Sequence, residues 1–600
     1  GRLFLPRDHY HVSGDRIERL ADQRYRLEGA VLTTCDWDEA KGERPVWRLR
    51  ARRLTIEPER YLTARDVMFD INNVPVFYLP YLIWPVKTER QSGLLQPHLG
   101  YSTSEGLKVR QPIFVTLGPS QDLTLTLDER TRRGEGGLLE YRYRFSRRSR
   151  GQIEVEVFRD RVTDVLRRRA ATVQVVEFNE RLQLRVSGQY VSDESILRDL
   201  HTATEDRTRR TIESNLFLTY HDAYQAMTVL TRYTRDLTAA GDASAQLLPA
   251  LAYRLPSARL WSAPLFVSTE ASAINFWRRD GPSVQRVDIF PVLVWRQETP
   301  LGLIVTPRVG IRETAYWRED SEGGAVRRDL RVAGLGLAGA ARRTWDRAGR
   351  GPIIHAVEPG ILYTYVGARD GEAVPRFDEI DDIPEQSLIT ATLTNRLIAQ
   401  SGSAQAGVAD HELLWVRLTQ SYRLAHRPDG IPWSALRAEA TVRTHSMLQF
   451  DADAFFDHAE RTVTVFNSDT RLTWAPYWDL ALGHRSTRPR GVIPLRGDVL
   501  DPLSLGLQAA EPREEIDYYT VGAHAYLPRG FVLANKTYYN RRTHAYTEIS
   551  YGLKYTGQCW SVAFTYQDFP EKNQFGVLLT LIGATSAASG QAADLFSGVP

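Results

Sequence analysis

Residues 74–119 read VPVFYLPYLIWPVKTERQSGLLQPHLGYSTSEGLKVRQPIFVTLGP. An apolar run broken by prolines, Val74 to Val86, leads into two strand-like segments joined by the polar turn Ser102-Thr103-Ser104-Glu105. Each segment carries a proline, Pro97 in the first and Pro112 in the second. Proline has no N–H to give to a sheet ladder, so interior strands normally exclude it. Two of them on neighbouring strands predict a seam whose pairing is weak.

The same two-residue period continues downstream. Leu123-Thr124-Leu125-Thr126-Leu127-Asp128 sets leucines on one face and polar groups on the other, and Ile153-Glu154-Val155-Glu156-Val157 and Leu182-Gln183-Leu184-Arg185-Val186-Ser187 do likewise. Such a strand has one face in lipid or core and the other in water. Roughly two dozen of these segments fall between residues 92 and 583, at the spacing of membrane strands of about 9–11 residues plus turns. Aromatics gather near strand ends (Tyr141, Tyr143 and Phe145; Tyr518 and Tyr519; Tyr538 and Tyr539; Tyr551 and Tyr555), as in an interfacial girdle. No apolar run approaches the ~18 residues of a membrane helix, and no repeat of about 40–50 residues signals a propeller. A transmembrane barrel is expected.

Residues 1–73 differ, with short β segments (Tyr25 to Leu32, Val46 to Leu54, Tyr61 to Ile71), charged turns and no girdle. They predict a soluble β-module ahead of the barrel. The polar stretches 198–210, 367–388 and 485–515 are expected to be long external loops, and the tail ATSAASGQAADLFSGVP a disordered end. The chain opens on GRLFLPRDHY without an initiator Met or leader, which predicts a processed or truncated form. A net charge of +3 is too small to argue for nucleic acid. Only Cys35 and Cys559 are present; by themselves they fit two buried thiols as well as one long-range bridge.

The run VPVFYLPYLIWPVKTERQSGLLQP resembles the junction between soluble module and barrel in the LptD family of outer-membrane lipopolysaccharide-assembly proteins. Four further stretches resemble the family in the expected order: Thr33-Thr34-Cys35 with Val46-Trp47-Arg48-Leu49; Tyr190-Val191-Ser192-Asp193 with Leu197-Arg198-Asp199-Leu200; Phe377-Asp378 with Asn395-Arg396-Leu397; and Tyr551-Gly552-Leu553-Lys554-Tyr555 leading to Cys559-Trp560. The chain departs from the pattern where Gln558 precedes a single Cys559, and where the family's mid-barrel Gly and Asp-Arg do not follow Gly402.

The resemblance implies an all-β fold: part of a periplasmic β-jellyroll and an apolar connector over 1–86, a transmembrane antiparallel barrel of about 26 strands over 87–584, and a tail over 585–600. It implies insertion of lipopolysaccharide into the outer leaflet of the outer membrane, with no catalysis and no cofactor. Cys35 and Cys559 then become a disulfide between module and last strands. Pro97 and Pro112 become one side of a lateral gate, with Phe575, Val577 and Leu579 of the last strand on the other. Trp47, Leu49, Ile56 and Phe69 become groove residues, and Phe77, Tyr78, Tyr81 and Trp84 of the connector the path from groove to membrane. The implied partners are lipopolysaccharide, an LptE-like lipoprotein plug, an LptA-like periplasmic bridge and outer-membrane lipid.

Residue patterns for catalysis are absent: HExxH, GxSxG and CxxC do not occur. The acidic run Asp378-Glu379-Ile380-Asp381-Asp382 lacks EF-hand spacing and reads as a solvated external loop, with divalent-cation binding the lesser reading. A large passive or plugged porin or receptor is the alternative function; it shares the barrel and needs neither the apolar connector nor a weak seam.

Overall fold

The computed structural model describes residues 2–5, 10–20, 24–37, 44–57, 61–85, 92–201, 204–207, 209–238, 244–319, 325–347, 351–368, 374–378, 380–381, 383–403, 407–424, 432–444, 447–488, 515–570 and 572–582. The tail beyond residue 582 and most of the stretch 485–515 lie outside the described residues. Two bodies of sheet make up the molecule: a seven-stranded sheet, and a closed antiparallel barrel of 26 staves.

Burial runs in opposite senses in the two. In the N-terminal sheet the apolar side chains are inside: Leu27, Leu54, Ile56, Leu62 and Val67 are each at most 3% exposed and share one core. In the barrel the polar side chains are inside. Strand Val284–Trp295 turns Arg286 and Asp288 inward, where they are buried, and presents Val287, Ile289 and Leu293 outward. Strand Gln121–Arg130 does the same, with Leu125 and Leu127 outward and Thr124, Thr126 and Asp128 inward. A closed ladder with an apolar outer face is the sheet solution for hydrocarbon, because no backbone group is left at an edge.

The run expected as a connector is a regular strand. Asn72 and Asn73 both adopt positive φ, 48° and 66°, the conformation of a two-residue type I′ hairpin turn. This turn folds Val74–Pro85 back along Tyr61–Ile71, so the apolar run forms the edge of the N-terminal sheet. Its prolines at 75, 80 and 85 are tolerated on an edge strand.

Short hairpin turns close the barrel end that carries the N-terminal sheet, here the near end. The far end combines short turns, such as 131–133, with longer loops. One of these, after strand Leu182–Val191, contains helices Ile196–Leu200 and Thr204–Arg207.

The inverted burial predicts a face-dependent response to charge. Leu125→Arg, on the outer wall, is expected to cost about 2–4 kcal/mol if near the bilayer midplane. Thr520→Arg, on the inner wall close to Asp469, should cost much less. The folded fraction of each variant on heat-modifiability gels after reconstitution checks this; equal losses would contradict the assigned faces.

Candidate functional site

The N-terminal sheet docks where the barrel closes. Cys35 and Cys559 form a disulfide across 524 residues of sequence, with Cα atoms 4.9 Å apart. Both are buried in the core of the N-terminal sheet, against which Trp560 and Leu581 also pack. Polar contacts fix the orientation. The Trp47 indole N–H donates to the Cys559 carbonyl (3.2 Å), and the Thr34 hydroxyl donates to the Ile582 carbonyl (2.8 Å). Gln558 pairs with Asp36 twice, accepting from its backbone N–H and donating to its carboxylate. The residue that departs from the family pattern is thus itself a docking contact.

The last stave, Lys572–Leu581, pairs along its whole length with Trp560–Phe569, through ten residue pairs. Its pairing with the first stave is much shorter. Only Gln574, Phe575, Gly576 and Val577 find partners, in Ser102, Tyr101, Gly100 and Leu99. Four pairs make this the shortest stave-to-stave ladder among the described residues. The first stave is itself broken into Gly93–Leu94 and His98–Ser102. Beyond Val577 the last stave continues through Leu578, Leu579 and Thr580 with no ladder partner on the first stave among the described residues.

Both prolines lie at the break. Pro97 ends the irregular step Leu95-Gln96-Pro97, and Pro112 of strand Gly106–Gly118 faces that step. The Pro112 carbonyl accepts from Leu95 N–H (3.0 Å). Because N–H and C=O of one strand residue point the same way, the donor that Pro112 lacks would also have pointed at the first stave. The Gln111 side chain fills in, donating to both the Leu95 and Pro112 carbonyls. The prolines therefore act one strand away from the seam: they interrupt the first stave, and the interrupted stave covers only part of the last.

The paired part lies toward the far end, where a loop caps it. Ile196, Leu197 and Leu200 of the short helix pack on Phe158, Val191 and Ile212. Beneath them, Arg167 pairs with Asp160, Asp193 and Asp199, and Arg133 with Asp160 and Asp199. The cap crosses the seam. Glu105, in the turn after the first stave, pairs with Arg130 of the third stave (2.7 Å) and Lys572 of the last (3.8 Å). Lys572 also donates to the Asp199 carbonyl, and Asn573 and Thr103 exchange two hydrogen bonds. Burial pushes the Asp193 carboxyl up, but hydrogen bonds from Arg167 and Ser192 prevail and hold it at about 2. For His201, burial disfavours the imidazolium, and the Asp206 and Glu156 carboxylates outweigh it, so its pKa is raised.

A second loop folds onto the inner wall. Asp378 and Asp381 clamp Arg286 (2.6 and 2.7 Å), Asp381 accepts from the Tyr316 hydroxyl (2.7 Å), and Phe377 stacks on Phe276. The acidic run expected as a solvated loop thus spends these two carboxylates on the barrel wall; Glu379 and Asp382 lie outside the described residues. No cluster of three or more metal-ligating side chains occurs among the described residues.

The residues read as a lipid path fall into two sets. Trp47 and Ile56 are buried in the sheet core, and Leu49 and Phe69 are half-buried beside it. Phe77, Tyr78 and Tyr81 are about half exposed along the edge strand, with Val74, Val76 and Ile83. Trp84 pairs with Leu62 through its backbone; its side chain lies outside the described residues. Of the seam residues, Phe575 and Val577 are exposed on the outer wall opposite Tyr101 and Leu99, Leu579 is half-buried, Pro97 is exposed and Pro112 buried. The loop helix was missed in the sequence, although Ser192-Asp193-Glu194-Ser195 before Ile196-Leu197 is a helix-start signal.

Comparison with known proteins agrees with this geometry. The LptD family, described as LPS transport system D, matches residues 174–491, just over half of the chain. The LPS-assembly protein LptD of Pseudoalteromonas atlantica is 24% identical over 91% of this chain and 71% of its own length. That of Aromatoleum aromaticum is 24% identical over 90% and 68%, and that of Shewanella frigidimarina 22% over 94% and 74%. Among solved structures, the alcaligin receptor FauA of Bordetella pertussis aligns over 92% of this chain and 87% of its own at 9% identity, with a TM-score of 0.21 that carries no argument.

The raised pKa of His201 has a sign that can be tested. A group whose pKa is higher in the folded state stabilises fully below its unfolded value, about 6.5, and loses that contribution as pH rises through the folded value. Amide-exchange protection of residues 196–200, corrected for intrinsic rates, should fall as pH rises above about 6.5. His201→Gln should flatten the profile. A flat wild-type profile would show that the imidazolium does not hold the cap.

Proposed function

The chain belongs to the LptD family of outer-membrane lipopolysaccharide transport and assembly proteins, which are not enzymes, and on that premise we propose the route its lipid takes. Acyl chains travel along the exposed apolar edge strand Val74–Pro85 of a partial jellyroll spanning about residues 1–86. They pass between the first and last staves into the membrane while the sugars cross the lumen. Pro97, Pro112, Phe575, Val577 and Leu579 border this lateral gate.

The observation that carries the proposal is the four-pair ladder at the seam, which leaves the part of the last stave beside the docked sheet without a partner on the first among the described residues. An unmade backbone pair in hydrocarbon costs several kcal/mol, so a seam left short is where lipid enters at least cost. The cap over the far end keeps the staves in register while the near half parts. Trp47 and Ile56, buried in the sheet core, support the groove from beneath, and Phe77, Tyr78 and Tyr81 touch the lipid. A lipoprotein plug of the LptE kind fits a barrel of 26 staves, whose lumen would otherwise leak. The terminal strand Arg2–Leu5, with no second sheet neighbour among the described residues, suits strand addition by a further jellyroll, as in an LptA-like bridge.

Photo-crosslinking side chains placed at Tyr78, Tyr81, Leu94 and Leu579 should yield lipopolysaccharide adducts in cells, and one at Leu418 on the outer wall far from the seam should not. Adducts from all positions alike, or none from the seam, would sink the gate. Pro97→Thr with Pro112→Thr, restoring two ladder donors, should slow surface delivery several-fold; unchanged delivery would remove the prolines from the mechanism.

A further inference from the structure

The inner wall carries many arginines, and most are matched. Arg167, Arg286, Arg312, Arg396, Arg437 and Arg471 each pair with a carboxylate. Near the end that bears the N-terminal sheet, one group of arginines lacks such partners. Arg150 of strand Ser149–Asp160 stands opposite Val175, and Val175 stands opposite Arg185 of strand Leu182–Val191, so the two arginines share a row two strands apart. Arg144 of strand Gly134–Ser146 lies one residue past the Tyr143–Gly151 pair, beside Arg150. All three are exposed, and none has a side-chain hydrogen bond or ion pair among the described residues.

Strand alternation places them on the lumen side. Arg150 shares its face with Gln152, Glu154 and Glu156, the last of which bonds His201 of the capping loop, whereas Ile153, Val155 and Val157 are exposed on the outer wall. Of the nearby carboxylates, Glu140 and Asp122 pair with Arg142 and Glu154 with Arg169, while Glu177 accepts from the neutral Gln183 amide and keeps its charge. At the adjoining hairpin tips, Arg148 reaches only Glu180, at 3.9 Å, and Arg147 and Arg181 add further positive charge.

We propose that Arg144, Arg150 and Arg185 form a lumen subsite for the phosphate groups on the sugar portion of lipopolysaccharide, an inference that rests on the transport route proposed above. Guanidinium forks bind phosphate oxygens in pairs, and strands about 4.8 Å apart put the Arg150 and Arg185 stems roughly 10 Å apart, room for a phosphorylated saccharide between them. The depth fits as well. Arg144 alternates with Tyr143 and Phe145, whose rings stack 4.6 Å apart on the outer wall at the level of an interfacial girdle. A lipid entering the seam from the near leaflet carries its headgroup at this level. The arc begins three strand spacings, about 15 Å, from the first stave.

The test uses the purified full chain with any lipoprotein that co-purifies, and three soluble probes: deacylated phosphorylated lipopolysaccharide saccharide, the same saccharide after phosphatase treatment, and glycerophosphoglycerol as the phospholipid headgroup. The phosphorylated saccharide should bind at least about tenfold more tightly than either other probe. The triple Arg→Gln variant should lose that margin, and the triple Arg→Lys variant should keep part of it and show that the barrel still folds. Equal binding of the phosphorylated and phosphatase-treated saccharides would overturn the subsite. Preference for glycerophosphoglycerol would assign the arc to phospholipid instead. Loss of the co-purifying lipoprotein from the Arg→Gln variant, with saccharide binding intact, would make it a protein-docking surface and also overturn the proposal. Because these probes lack acyl chains, their binding is independent of the gate: seam crosslinks without arc binding sink this inference alone, and arc binding without seam crosslinks sinks the route.

Discussion

In hydrocarbon a backbone N–H or C=O without a partner costs several kcal/mol, and a sheet escapes that cost only by closing on itself. The barrel obeys this constraint around almost its whole circumference, where neighbouring staves commonly share nine or more residue pairs. The shortfall is concentrated where the circle closes. Four pairs join the first and last staves, and a proline-bordered break shortens the first. Around this deficit lie the docked sheet at one end, the ion-paired cap at the other, and the glycines Gly100 and Gly576 facing each other across it.

The glycine pair shows how closely the seam is drawn where it is closed. A Cβ on Gly100 would sit 3.1 Å from the Phe575 carbonyl, and one on Gly576 would sit 2.6 Å from the Thr565 hydroxyl. Within the paired segment the lumen side carries Gly100 and Gly576 beside the buried Ser102 and Gln574, while Tyr101 and Phe575, and Leu99 and Val577, meet on the outer wall. On the proposed route, a segment held by a few backbone bonds and an apolar outer contact is the one that lipid would part.

Much of this was legible in the sequence, and for a physical reason. Period-two alternation reports which face of a strand meets water, so the barrel, its girdle and its first two staves could be read from Leu123 to Asp128 and their counterparts. Proline's missing donor is equally local, and Pro97 and Pro112 marked the break. Alternation cannot tell an inward charge facing open water from one buried under a folded-in loop. The Arg167 and Arg286 clusters, and the loops that cover them, were missed for that reason. The apolar run after Asn73 read as a connector because its prolines outweighed a turn signal in Asn72-Asn73, which sends the chain back as an edge strand. The pairing of Cys35 with Cys559 came through family resemblance, since two cysteines alone carry no information about distance.

The two ends of the seam are held by different physics, and this gives the opening a direction. At the far end the hold is ionic and local: Glu105, Lys572 and the Asp199 carbonyl lie within one cap, shielded from water by Ile196, Leu197 and Leu200. Removing one member of a buried charge set strands the others, so such a cap yields all together or not at all. At the near end the hold is covalent but acts on the sheet: Cys35, Trp47 and Thr34 grip the Cys559 turn and the Ile582 carbonyl. That grip ties the last stave to the sheet, whereas the first stave carries the proline-bordered break. On the route proposed above, a parting seam would pivot about the cap and open widest beside the edge strand Val74–Pro85.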